Sequence, residues 1–529
     1  MKRLQILVLT LTSLLAASCK NGPGSGLEAV YKDLPFSMPV VEAPSIPSRV
    51  WNLNDFGAKG DGVTDNTAAF AEAMDRIEEE GGGRLTVPAG IWLTGPITLR
   101  SKTELHLEKD AILVFNPDID LYPIIDTNFE GLDVRRCLSP INADGATDIA
   151  ITGSGIIDGS GDSWREVKRR KVSDDQWKRI IARGGYVPAD GSGWYPDEAY
   201  YKARQTAGSL NYPDPSLDEN EIKSFLRPVM VSLRGCKRVL LEGCTFQNSP
   251  CWNIHPLWCE HVTIRDIIVR NPHYSANGDG IDIDACTNVL LTGSTFDVGD
   301  DAICIKSGKD ADGRRHAHKC SNLIISDCTV YHGHGGFVVG SEMSGGVENI
   351  MVRNCRFIGT DVGLRFKSTR GRGGLVRNIW CDSIYMKDIV AEAVTFNLYY
   401  AGVAATERTA APIGTALDVP GNGTISAKSA QNAPDVPGTG TISALPAVDE
   451  TTPEFRDLHF SNIICSGAKQ AIYINGLPEL PLNGVSFSDC RFTAAKGLEM
   501  HNEQGTTFEN VTINGEQVFA TTTDVTTVN

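Results

Sequence analysis

Residues 322–330 read Asn322-Leu-Ile-Ile-Ser-Asp-Cys328-Thr-Val, and residues 349–357 read Asn349-Ile-Met-Val-Arg-Asn-Cys355-Arg-Phe. A polar residue opens each stretch, apolar side chains alternate behind it, and a cysteine falls six places on. The pattern returns as Arg238-Val-Leu-Leu-Glu-Gly-Cys244, Asn288-Val-Leu-Leu-Thr-Gly-Ser294 and Gly484-Val-Ser-Phe-Ser-Asp-Cys490. Starting points at 238, 261, 288, 322, 349 and 378 are separated by 23, 27, 34, 27 and 29 residues. Strands of period two, recurring at such intervals without helical patterns between them, predict an all-β solenoid of stacked rungs about 4.8 Å apart. Equivalent positions then form columns. Cys244, Cys328, Cys355 and Cys490 become one inward column of free thiols packed as small apolar groups.

Working outward from the repeats, the ends of the chain read differently. Lys2 and Arg3, the apolar run Leu4 to Leu15 and the small residues Ala16-Ala17-Ser18 before Cys19 form an export signal over 1–18. Small residues directly before a cysteine resemble a bacterial lipoprotein signal. Cys19 would then carry lipid, and residues 19–45, rich in Gly, Pro and Ser, would be a lipid-anchored tether. That places the chain in the periplasm or on the outer membrane of a Gram-negative bacterium, touching a membrane only through Cys19. Asn66 to Glu80 reads as an amphipathic helix behind a Thr64-Asp65 cap, closing one end of the solenoid. The solenoid spans 46–520, interrupted by insertions at 162–229 and 402–453. The second insertion repeats Asp418 to Ala427 as Asp435 to Ala444.

Composition narrows the chemistry. The 529 residues are 41% hydrophobic and 22% charged, which is globular. Asp+Glu 65 against Lys+Arg 49 leaves −16, which excludes nucleic-acid binding led by phosphate neutralisation. An anionic substrate must therefore meet cations placed locally. The 14 cysteines are scattered, with no CxxC pair or His/Cys cluster at metal-ligand spacing.

Four strands can be set in register by their alternation: Gly278 to Asp284, Asp300 to Lys306, His334 to Gly340 and Asp361 to Lys367. Ile281, Ile303, Phe337 and Leu364 then share one inward column, and the residues between point outward. Asp279 stacks on Asp301, while Asp300 stacks with His334 and Asp361; Arg365 and Lys367 project together further along. Like charges one rung apart raise at least one carboxyl pKa, which suits a general acid beside ionised carboxylates, as glycoside hydrolysis requires. Arg365 and Lys367 suit a substrate carboxylate. Lys306, in the outward column of Lys367, is a second candidate for that contact. His255 and His273 are candidates to line sugar subsites, and Tyr399 and Tyr400 to stack on a sugar ring.

At these residues the chain resembles glycoside hydrolase family 28, the polygalacturonases and their relatives, over most of 51–513 outside the insertions. The family motifs NTD, DD, GHG and RIK are matched in order by Asn277-Gly278-Asp279, Asp300-Asp301, Gly333-His334-Gly335 and Arg365-Phe366-Lys367. Gly278 stands for the usual Thr and Phe366 for the usual Ile. The resemblance implies a right-handed parallel β-helix, inversion at the anomeric carbon, and no metal or other cofactor. It implies Asp300 as general acid, Asp279 with Asp301 on the attacking water, His334 tuning the acid, and Arg365 with Lys367 on a substrate carboxylate. The implied partner is an acidic plant polysaccharide, pectin or its oligogalacturonides, met by a monomer. A rhamnogalacturonan or xylogalacturonan hydrolase of the same family is the alternative, and a calcium-dependent pectate lyase a more distant one. The 162–229 insertion carries Trp164, Trp177, Trp194, Tyr195, Tyr200 and Tyr201. It reads as an aromatic wall at the non-reducing side, turning a groove into a pocket that releases single sugars.

Overall fold

The computed structural model describes residues 27–207, 217–400 and 445–519. The signal over 1–18, Cys19 and most of the 402–453 insertion lie outside the described residues. Within them the repeats stack as a parallel β-helix, whose rungs feed a 14-stranded and a 23-stranded sheet. In one rung, Thr287–Thr292 lies in the first sheet, and Thr295–Asp297 and Asp301–Lys306 lie in the second. Register keeps the columns: Val289 pairs with Leu323, Leu323 with Ile350, and Ile350 with Ile379.

The polar residue that opens each repeat has a backbone reason. Arg238, His261, Asn288, Asn322, Asn349 and Asn378 all take left-handed φ values between 54° and 60°. Asparagine tolerates that region better than most residues. Here its amide also builds a ladder, Asn322 donating to Asn288 at 3.1 Å, Asn349 to Asn322 at 3.1 Å and Asn378 to Asn349 at 3.2 Å. The cysteine column is buried and free of disulfides. The thiols of Cys328, Cys355 and Cys490 each lie within weak hydrogen-bonding distance of the carbonyl two residues back.

One end is closed by the helix Thr67–Glu79, which buries Phe70, Ala73, Met74 and Ile77. That i, i+3, i+4, i+7 spacing presents a single apolar stripe to the first rungs. Asn66 occupies the cap position without a side-chain cap, and Asp65 accepts the Thr67 amide at 2.9 Å.

From Leu27 onward the expected tether is a strap laid across the 14-stranded sheet. Leu34, Phe36 and Met38 are half-buried, alternating with exposed Asp33, Pro35, Ser37 and Pro39. Val41 joins Leu290 and Ile324 in a small core against Tyr31, Leu34 and Met38, and Phe36 meets Trp380 at 5.6 Å. The cause is on the sheet: Leu290, Ile324, Met351 and Trp380 form an outward apolar column, which stays in water unless something covers it.

The 162–229 insertion also folds. Trp164, Tyr200, Phe225 and Leu226 build a core with Tyr122, Phe129 and Trp252, and Val167, Val172, Ile180 and Trp194 build a second with Tyr274 against it. This packing corrects the expected aromatic wall at three of its six residues, while Trp177, Tyr195 and Tyr201 stay half-buried. Trp164, Trp194 and Tyr200 are buried, because a segment this long needs apolar side chains for its own interior.

Candidate active site

The strands Ile281–Asp284, Asp301–Lys306, Gly335–Val339 and Leu364–Lys367 run side by side in the 23-stranded sheet. Pairing of Ile281 with Ile303, Ile303 with Phe337 and Phe337 with Leu364 reproduces the register drawn from alternation. One carboxylate oxygen each from Asp279, Asp300 and Asp301 falls within 4.8 Å of the others. His334 Nδ1 lies 2.9 Å from Asp300, and its Nε2 lies 3.9 Å from Asp361. Lys367 donates to Asp301 at 2.7 Å and Arg365 at 3.3 Å. Above the two cations lies the Tyr400 ring, 4.8 Å from Lys367 Nζ and 5.6 Å from the Arg365 guanidinium carbon. Tyr400 thus roofs the cation pair through cation–π contact.

The site has a floor and a rim. Asp279, Asp301 and Lys367 are buried, while the side chains of Asp300, His334 and Arg365 stay 23%, 18% and 16% exposed. Burial works to raise the Asp300 carboxyl, but the His334 imidazolium beside it, with Lys367 and Lys171 further off, pulls it well below the carboxylate range. Asp300 in turn raises His334. The two titrate as a pair holding one proton between them. Burial likewise opposes ionisation of Asp301, yet Lys367 and Arg365 hold it charged. Asp279 goes the other way: burial, then the charges of Asp300, Asp282 and Asp301, push it well above its usual value.

Not every candidate reaches this patch. Lys306 is buried, bonded to Glu342 at 2.9 Å, 3.7 Å from Asp282 and under the Trp252 ring. That leaves no open ammonium for a sugar. His255 is only 1% exposed, 3.3 Å from Asp284 and edge-on to Trp252, so it braces the floor instead of lining a subsite. His273 is exposed and bonded to the Lys171 carbonyl at 3.1 Å. Tyr399 lies over Arg370.

Gly278 has a reason where the family pattern has Thr. A Cβ there would sit 2.0 Å from Ser275 Oγ, so the neighbouring serine occupies the space. Two acids were missed. Asp282 is fully buried, with neither carboxylate oxygen hydrogen-bonded among the described residues. Alternation in Gly278 to Asp284 already put it in the outward column of Arg365. Glu342 follows the strand Gly335–Val339 in a loop, where no periodicity marks it.

The insertion is locked to the site by buried arginines. Arg227 donates to Asn277 Oδ1 at 2.7 Å and to the carbonyls of Pro250 and Ala276, and Arg165 donates to Asn248 at 2.7 Å.

Two family models match the chain: Glycosyl hydrolases family 28 over residues 207–419, and Rhamnogalacturonase A/epimerase, pectate lyase-like, over residues 50–106. The crystal structure of a hyperthermoactive exopolygalacturonase from Thermotoga maritima is similar at a TM-score of 0.69 and 32% identity, covering 90% of this chain and 94% of that one. A protein of Vitis vinifera named "Probable polygalacturonase" is 32% identical over 346 residues, 64% of this chain and 60% of its own. The exo-poly-alpha-D-galacturonosidase of Dickeya chrysanthemi is 28% identical over 485 residues, 89% of this chain and 75% of its own. The chain thus spans less than two thirds of the grapevine protein.

Proposed function

The chain belongs to glycosyl hydrolases family 28, and on that premise we propose that it hydrolyses the α-1,4-galacturonosyl linkages of polygalacturonate, one sugar at a time from the non-reducing end. One observation carries the reading: Asp300, paired with His334 at 2.9 Å, shares a 4.8 Å cluster with Asp279 and Asp301.

The Asp300–His334 pair supplies the proton to the leaving glycosidic oxygen. Oxygens within 4.8 Å of each other can both touch one water at about 2.8 Å, so Asp279 and Asp301 hold the nucleophile between them. Asp301, kept ionised by Lys367 and Arg365, takes its proton. The water attacks the anomeric carbon as the bond to the leaving oxygen breaks, which inverts configuration. Arg365 at the rim, with Lys367 behind it, meets the carboxylate on the leaving side. The match to the rhamnogalacturonase model covers only 50–106, away from these residues, and lends no weight to another pectic backbone.

End-directed action is supported by the exo-acting names of the Thermotoga and Dickeya relatives and by the insertion seated beside Asn277. The test is a time course on polygalacturonate. Monomer as the sole early product, with viscosity barely falling and no ultraviolet-absorbing double bond, is expected; a ladder of mixed oligomers would reject the end-directed reading. Proton NMR of the first product should show the β-anomer; an α-anomer would reject inversion. Export and lipid attachment at Cys19 belong to the same proposal. Labelled palmitate should enter the wild type and not Cys19→Ala.

A further inference from the structure

The rungs enter the 23-stranded sheet twice, first as a short strand and then on the catalytic face, as Thr295–Asp297 precedes Asp301–Lys306. The short strands make a face of their own. It is formed by Thr329–Tyr331, Arg356–Ile358, the starts of Tyr385–Asn397 and Ile464–Asn475, and Arg491–Thr493. Their middle residues Val330, Phe357, Met386, Cys465 and Phe492 are buried, so the residues on either side point outward. Register puts Arg356, Tyr385, Ile464 and Arg491 in one outward column. Tyr331, Ile358 and Lys387 stand in the next. All of these except Ile358 are exposed.

The face differs from the rest of the surface. Its ten outward positions hold three cations and no acid, on a chain with a net charge of −16. Most arginines of so acidic a chain find a carboxylate or a carbonyl, but Arg356 and Arg491 have no hydrogen bond, ion pair or ring contact among the described residues. The nearest carboxylate to Lys387 is Asp388 at 3.9 Å, and Asp297 on a neighbouring rung is taken by His332 at 2.9 Å. Tyr331 and Tyr385, 44% and 38% exposed, are the two exposed tyrosines among the described residues. Three rung steps separate Arg356 from Arg491, about 14 Å at about 4.8 Å per rung. Between them Tyr385 and Ile464 offer apolar contact. A polymer of acidic sugars carries the complement: carboxylates at regular intervals for guanidinium groups, and C–H ring faces for tyrosine. The face also shares an edge with the catalytic groove, since Tyr331 lies three residues before His334.

We propose that this face is a second, non-catalytic binding site for galacturonan chains, in which Arg356, Lys387 and Arg491 pair with carboxylates while Tyr331 and Tyr385 stack on sugar rings. The proposal rests on the galacturonan reading and places a site outside the groove. A chain held there raises the effective concentration of chain ends at the groove. A trimer is too short to span both sites and gains nothing.

The test compares polygalacturonate with trigalacturonate. Arg356→Gln with Arg491→Gln should raise KM on polygalacturonate several-fold and leave kcat, the thermal midpoint and both constants on trigalacturonate at wild-type values. Binding is read by retardation in gels containing polygalacturonate, in an Asp300→Asn background that stops cleavage. There the double substitution should weaken binding about tenfold, the size of two exposed charge contacts. Tyr385→Ala, which leaves every charge in place, should weaken it several-fold. Unchanged retardation in the double variant, or equal losses on trigalacturonate, would overturn the site. Loss of binding by charge alone, with Tyr385→Ala unaffected and polyglutamate competing equally, would reduce it to unspecific attraction and overturn it too. Arginine-dependent binding to vesicles of anionic phospholipid, without binding to polygalacturonate, would assign the face to a membrane instead. If the wild type cleaves neither substrate, the catalytic reading has failed separately, and the retardation assay still decides the face.

Discussion

The two sheets are made from the same rungs, yet their outward columns meet different surroundings. On the 14-stranded sheet, Leu290, Ile324, Met351 and Trp380 point outward, and the strap packs on Leu290, Ile324 and Trp380. On the 23-stranded sheet, Asp282 and Arg365 share one outward column, and Asp284, Lys306 and Lys367 share the next. The first covering removes apolar surface from water, favourable by about 25 cal/mol per Å². The second withdraws charges from water, which costs several kcal/mol per ion unless each is well paired. Lys367 with Asp301 and Lys306 with Glu342 meet that condition, but Asp279 and Asp282 keep carboxylate oxygens without hydrogen-bond partners among the described residues. A fold tolerates such groups where chemistry uses them. One face is built for stability and the other for reaction.

The comparison breaks at once if charge on the catalytic face proves dispensable. Asp300→Asn keeps the shape of the side chain and removes its proton transfer. It should lower kcat by at least ~10²-fold, with substrate binding and thermal midpoint nearly unchanged. Turnover like the wild type would put the acid elsewhere.

A smaller effect should follow at His334. Asp300 raises its pKa above the ordinary 6.5, so the pair is proton-loaded at lower pH and empties as pH rises through that raised value. The wild-type rate should therefore fall on an alkaline limb centred above 6.5, and His334→Ala should lose on the order of tenfold in kcat. A limb centred below 6.5 would contradict the pairing. Lys367→Met sharpens the comparison by substrate. Loss of the Asp301 partner should slow every substrate, but polygalacturonate should suffer several-fold more than methyl-esterified pectin, since only the free acid uses the charge. Equal losses would make Lys367 purely structural.

Much of this division was legible beforehand. Alternation in Gly278 to Asp284, Asp300 to Lys306, His334 to Gly340 and Asp361 to Lys367 predicts the register that places Asp279 beside Asp301 and Asp300 beside His334. A strand's parity is written in its residues, so columns can be drawn without coordinates. Coverings cannot, because they depend on where non-periodic segments lie. Hence Lys306, correctly placed in an outward column, is closed over by Glu342, and His255, expected at a sugar subsite, is closed over by Trp252. The strap was hidden for the same reason. Its Gly, Pro and Ser content suggests a tether, while the two-residue spacing of Leu34, Phe36 and Met38 is too short a run to stand out. The insertion's aromatics carry no periodicity that separates a folded interior from a sugar platform.

The smallest expected effect tests the stabilising face. Phe36 is half-buried against Trp380, at 5.6 Å between ring centroids. Phe36→Ala removes that ring pair and part of the cover over the apolar column. The expected loss is about 1–2 kcal/mol, less than the 3–5 kcal/mol of a fully buried phenylalanine, because the ring keeps partial contact with water and the strap's exposed side can relax. The loss should appear as a lower midpoint in denaturant with an unchanged slope, because the strap is a small part of the surface exposed on unfolding. Meanwhile kcat and KM on polygalacturonate should stay at wild-type values, since Phe36 and Trp380 lie on the sheet that does not carry Asp300. A variant that unfolds normally but loses activity would show that the strap communicates with the catalytic strands, and the separation of the two faces would then be wrong.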